Sequence, residues 1–146
     1  MATADNDVTT VVLEQHRQVA QRLDAVLKAT GSARAAEFDS LAAFLGLHET
    51  AEEAVIYPAL RKLGDEGTRV ADERTREEDA AKEILTKLKG LDASSEDFEV
   101  LFTEFSSKVH EHAASEEGKV IPLLTSSVLP EERREMGDAF VASQNS

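Results

Sequence analysis

The sequence predicts an all-α protein, an antiparallel four-helix bundle with a short C-terminal helix. Three observations carry this. Apolar residues recur with a period near 3.6 along four long segments, and no stretch shows the pattern of a strand. Gly31, Gly64, Gly90 and Pro130 punctuate those segments. Two stretches, "HETAEEAVIYPAL" from His48 and "HAASEEGKVIPLL" from His112, repeat one another, so the chain reads as two helical hairpins.

The first helix opens after Asp5 or Asp7 and stops at Gly31, with Val8, Val12, Val19, Leu23, Val26 and Leu27 on one stripe. The second starts at Ser32 or Ala33 and carries Leu41, Phe44, Leu45, Ala51, Val55 and Ile56. Pro58 in this segment and Pro122 in the fourth each remove a backbone donor and should kink or end their helices. The third runs from about Glu66 to Lys89 and ends at Gly90, with Ala80, Ala81, Ile84, Leu85 and Leu88 inward. "LDASSED" is a loop in which Ser94 and Ser95 are N-cap candidates. The fourth helix carries Phe98, Leu101, Phe102, Phe105, Val109 and Val120. Pro130 suits the first turn of a short fifth helix, about 130–142. The bundle, about 8–125, then belongs to a single domain spanning 1–146.

Composition narrows the chemistry. With 146 residues, 41% of them hydrophobic, the chain can bury a core. The absence of cysteine excludes disulfides, thiolate catalysis and cysteine-ligated zinc or iron–sulfur sites. Any metal must be held by histidine and carboxylates. A net charge of −13 argues against nucleic acid or an anionic membrane surface as a partner. No apolar run approaches the roughly 18 residues of a membrane span. "MATADNDVTT" lacks the basic and apolar regions of a signal peptide, so a cytoplasmic protein is expected.

The repeated stretches hold the chemistry. At 100° per residue, His48 and Glu52 fall at the centre of the second helix's apolar stripe, His112 and Glu116 at the centre of the fourth's, and His16 at the centre of the first's. His110, Glu53 and Glu117 fall off their stripes. An unpaired carboxylate in a core costs several kcal/mol, and the two stripes offer no lysine or arginine over these turns. A multivalent cation is the natural counter-charge. Histidine and glutamate four residues apart project in parallel, and carboxylates on facing helices are how dinuclear sites are built in bundles. On the third helix Glu77 is the most central acid, Glu78 lies at the stripe's edge, and Glu73 is off-centre and reads as a solvated charge.

Together these residues resemble the hemerythrin-like HHE cation-binding domain, whose pattern is a histidine, then two HxxxEE stretches each followed by proline. The resemblance covers about residues 8–125. It implies that His16, His48, Glu52, His112 and Glu116 bind iron, with Glu52 and Glu116 bridging. The cofactor implied is two non-heme irons, oxo- or hydroxo-bridged, with manganese second to iron. The third helix has no histidine where the family has one. The family's frame puts Glu78 in that place, whereas the stripe prefers Glu77, and both stand as candidates. The chain thus resembles an acidic, histidine-poor variant of the family, of a kind found in bacteria such as mycobacteria. Tyr57 takes the family's aromatic position before proline and reads as a packing residue with its hydroxyl at the helix end.

Oxygen donors favour ferric over ferrous iron. A site with three central histidines and at least three carboxylates therefore suits decomposition of hydrogen peroxide, or reaction with related oxidants such as nitric oxide, better than reversible O₂ carriage. The alternatives are a module that binds, stores or senses O₂, NO or iron without turnover, and a metal-free helical interaction protein.

Overall fold

The computed structural model describes residues 6–145, and every regular element among them is helical. We number five helices: α1 (Val8–Lys28), α2 (31–61), α3 (Asp65–Lys89), α4 (96–127) and α5 (Pro130–Gln144). α1 pairs with α2 and α3 with α4, while α5 lies across α1 and α2. Among the described residues no helix is long and apolar enough to cross a membrane.

The local signals explain the boundaries. Asp7 caps α1 by accepting the Thr9 N–H at 2.9 Å; Asp5, the other expected start, lies outside the described residues. α1 ends at Lys28, short of Gly31. α2 begins on Gly31, at φ 58°, earlier than Ser32 or Ala33. Glycine tolerates that left-handed conformation, which is what allows so tight a join. Leu27, expected on the apolar stripe, is exposed. α3 starts at Asp65, one residue before Glu66. Ser95, of the two serine candidates, caps α4 by accepting the Phe98 N–H at 3.1 Å. Pro130 is in the first turn of α5 as expected.

Neither internal proline ends its helix. α2 consists of Gly31–Ala51, a π-helical turn Glu52–Ile56, then Tyr57–Arg61. α4 repeats this with Glu96–Ser115, a π-helical turn Glu116–Val120 and Ile121–Ser127. The Tyr57 N–H bonds to the Glu52 carbonyl and that of Ile121 to the Glu116 carbonyl, each five residues back. A proline cannot donate to the ladder and its ring crowds the carbonyl four residues earlier. One wide turn immediately before it accommodates both effects, so the helix continues past each proline where the sequence also allowed a stop.

The core is divided. One apolar cluster gathers Leu23, Phe38, Leu41, Leu88, Phe98, Phe102 and Phe105, the other Val8, Val12, Ile56, Leu60, Leu124 and Phe140, among others. Between them in sequence, on each long helix, lie buried and half-buried polar groups. His16 falls between Val12 and Val19, His48 between Leu45 and Ala51, Glu78 between Ala71 and Ala81, and His112 with Glu116 between Val109 and Val120.

Candidate metal centre

Six side chains from four helices converge in this polar layer. His16, His48, Glu52 and Glu116 form one group whose ligand atoms all lie within 4.8 Å of one another, and Glu52, Glu78, His112 and Glu116 form a second. Glu52 and Glu116 belong to both. They are the carboxylates of the two HxxxE pairs, and each opens a π-helical turn. The Nε2 atoms face inward: His16 Nε2 is 2.8 Å from Glu116 Oε1 and His48 Nε2 3.2 Å from Glu52 Oε2. His112 Nε2 stands 3.3 Å from Glu78, 3.4 Å from Glu116 and 3.8 Å from Glu52.

The donors fit bound metal. Glu52, Glu78 and Glu116 are at most 1% exposed. Glu52 Oε2, Glu78 Oε1 and His112 Nε2 are buried and make no hydrogen bond among the described residues. Such orphaned atoms are costly in a core unless something binds them. The set of oxygen and imidazole nitrogen donors is the kind that iron and manganese accept.

Comparison with known proteins agrees with this geometry. Residues 7–124 match the hemerythrin HHE cation-binding domain. The chain belongs to the hemerythrin HHE family. It is also similar to an uncharacterised hemerythrin-like protein of Schizosaccharomyces pombe, 32% identical over 97 residues, which cover 66% of this chain and 48% of that protein. The chain thus spans about half the length of this relative. No solved structure matches. Membership of the hemerythrin family implies binding of metal ions, and α5 lies beyond the matched residues.

Outside the inward-facing atoms, each histidine of the hemerythrin centre has a second partner on Nδ1. His16 meets Glu117 Oε2 at 2.9 Å, His48 meets Gln15 Oε1 at 2.8 Å, and His112 meets Glu77 Oε1 at 2.8 Å. Such partners orient an imidazole so that its other nitrogen points at a metal. Glu77 is therefore placed outside both groups. Its half-buried carboxylate joins His112 to the buried Arg74, whose Nε is 2.9 Å from Glu77 Oε1. Glu78 is the acid that α3 brings into the centre.

The electrostatics of the metal-free hemerythrin centre follow from burial and charge. Burial, then the adjacent Glu116 carboxylate, pushes the Glu52 pKa well up, so Glu52 keeps a proton. Burial acts the same way on Glu116, but hydrogen bonds from Glu52, His112 and His16 outweigh it and hold Glu116 well below the usual carboxylate range. At His112 burial opposes the charge, yet the facing carboxylates Glu116, Glu52 and Glu78 prevail and raise its pKa. His48 is lowered to about 4, chiefly by burial, and is neutral. Glu49, buried beside the centre, is pushed up to about 8 by burial and then by the Glu78 charge.

Two placements depart from the sequence reading. Tyr57, expected as a packing residue, aims its hydroxyl into the centre. It donates to Glu78 Oε2 at 2.6 Å and lies 3.4 Å from Glu116 and 3.5 Å from Glu52. The π-helical turn is the cause: residue 57 takes the place over Glu52 that residue 56 would hold in an unbroken α-helix. Glu117, off its stripe, nevertheless reaches His16 from an exposed position. His110 is exposed and Glu53 pairs with Lys82 at the surface, as their angles suggested. Arg74, Glu49, Gln15 and Gln144 carried no signal that the sequence reading used. For Arg74 the signal existed. Val70, Ala71, Arg74, Glu78, Ala81, Ile84 and Leu88 form one buried stripe, and at 100° per residue its centre falls about midway between Glu77 and Glu78, so the angle alone does not choose between them.

Proposed function

We propose that the protein holds two iron ions and decomposes hydrogen peroxide. The observation that supports this reading most is the donor set: three buried carboxylates and three histidines in two groups that share Glu52 and Glu116. In this reading His16 and His48 hold one iron, His112 and Glu78 the other, and Glu52 and Glu116 bridge. A bound iron pair supplies the two-electron redox capacity that peroxide disproportionation needs, and carboxylate donors favour its ferric form.

The chain's own residues supply the rest. A cavity of about 30 Å³ lies against His16, His48 and His112, walled by Val19, Ala20, Leu45, Val109, His110 and Ala113. Its volume suits a molecule the size of peroxide, O₂ or nitric oxide. The Tyr57 hydroxyl steadies Glu78 Oε2 and brings a proton into the centre. Glu49, with its pKa near 8, keeps a second proton close by at neutral pH.

The test is oxygen evolution from hydrogen peroxide by protein purified from iron-fed cells. Turnover lost in Glu52→Ala and Glu116→Ala supports the reading. An optical spectrum that changes reversibly with O₂, without peroxide turnover, contradicts it and selects a binding or sensing module.

A further inference from the structure

His16 and His112 rest their Nδ1 atoms on carboxylates, whereas His48 rests on an amide. The difference has a chemical consequence. A carboxylate only accepts, so it fixes a proton on Nδ1. An amide can present its oxygen or its NH₂, and the second choice would favour a proton on Nε2, the atom that faces Glu52. Something must therefore hold the Gln15 amide in one orientation.

That role falls to α5. Gln15 Nε2 donates to Gln144 Oε1 at 2.8 Å, and Gln144 Nε2 donates back to Gln15 Oε1 at 2.8 Å. In this reciprocal pair Gln15 cannot turn alone without setting oxygen against oxygen and NH₂ against NH₂. Gln15 Oε1 is thereby left to accept from both Gln144 and His48 Nδ1, each at 2.8 Å.

The rest of α5 is built to keep Gln144 there. The buried Phe140 ring packs edge-on against His48 with centroids 5.8 Å apart. Gly137 lets the helix approach the N-terminal segment, since a Cβ there would lie 1.5 Å from the Asn6 carbonyl oxygen. Arg133 meets Asp7 at 2.8 Å, and Asn6 donates to Asp138 at 2.9 Å. These contacts fasten α5 to the start of α1, the helix that carries Gln15.

We infer that α5, through the Gln144–Gln15 amide pair, is a positioning element that selects the Nδ1–H tautomer of His48 and so prepares Nε2 to bind metal. The consequence for metal binding rests on the di-iron reading above, but the tautomer does not. It can be read in metal-free protein, so the two can fail separately.

The experiment is nitrogen-15 imidazole NMR of the metal-free full chain, with competitive iron(II) titration alongside. In the unmodified protein His48 should carry its proton on Nδ1. In Gln144→Leu it should become a mixture of tautomers, and one of two iron sites should weaken by about 10–100-fold, the usual effect of losing an outer partner. In Gln15→Glu with Gln144→Leu, a carboxylate again faces Nδ1, and the Nδ1–H form and the affinity should return without Gln144. An unchanged His48 tautomer in Gln144→Leu overturns the inference. So does a double variant in which His48 stays mixed.

Discussion

Glu77 and Glu78 are neighbours on α3, yet they should respond differently to the same substitution. Glu78→Gln keeps the side chain's size and removes one charge from a group of four donors, at a site 1% exposed. At an effective dielectric near 20, two unit charges about 4 Å apart attract by about 4 kcal/mol, close to a thousand-fold in affinity. A directly bound carboxylate is nearer than that, so about a thousand-fold is the smallest loss expected for the second metal. Glu77→Gln acts only through His112, with a loss of about 10–100-fold and both metals retained. Metal content per chain and competition with a chromophoric chelator measure both quantities. Two metals in Glu78→Gln with one in Glu77→Gln would refute the assignment of Glu78 to the centre.

Four other predictions test the surroundings. Tyr57→Phe removes the 2.6 Å hydrogen bond to the charged Glu78; it should cost the metal-free protein about 1.5–3 kcal/mol by denaturant unfolding while two metals still bind. In the metal-free centre the raised pKa values of Glu52 and His112 mean both hold protons at neutral pH, and cations must displace them. Metal affinity should therefore rise with pH, by about tenfold per unit for each proton released, and calorimetry in buffers of different ionisation enthalpy should count about two protons. Metal-free stability should fall between about pH 4.5 and 8, since burial raises Glu49 from 4.5 to about 8 and its ionisation inside the fold is unfavourable; denaturant midpoints at the two pH values check this. Chelation should lower the melting temperature, because a metal at a hundred times its Kd stabilises the folded state by about 2.7 kcal/mol per site, and identical melting curves after verified metal removal would contradict this.

The fold was legible because its signals are local. Four amphipathic stretches, caps at Asp7 and Ser95, and proline in the first turn of α5 are statements about neighbours in sequence. His48 with Glu52 and His112 with Glu116 were legible for the same reason: a spacing of four residues in a helix is a spatial contact. Tyr57 was not, because the π-helical turn changes the rotation per residue that the angular argument holds constant. The α3 contribution blurred because the buried stripe of that helix, Arg74 included, is centred about midway between Glu77 and Glu78 at 100° per residue. The partners of the histidines were out of reach for a different reason. Gln15 with Gln144, and His112 with Glu77, meet only when separate helices pack, and no periodicity within one helix encodes that.

The central claim is that two cations share Glu52 and Glu116. Its most direct measurement is iron per chain in protein from iron-fed cells, combined with Mössbauer spectroscopy in a strong field. The account predicts about two irons per chain and, in the oxidised protein, a diamagnetic ground state from two ferric ions coupled through shared ligands. One iron per chain, or two that behave as isolated paramagnetic centres, would contradict it.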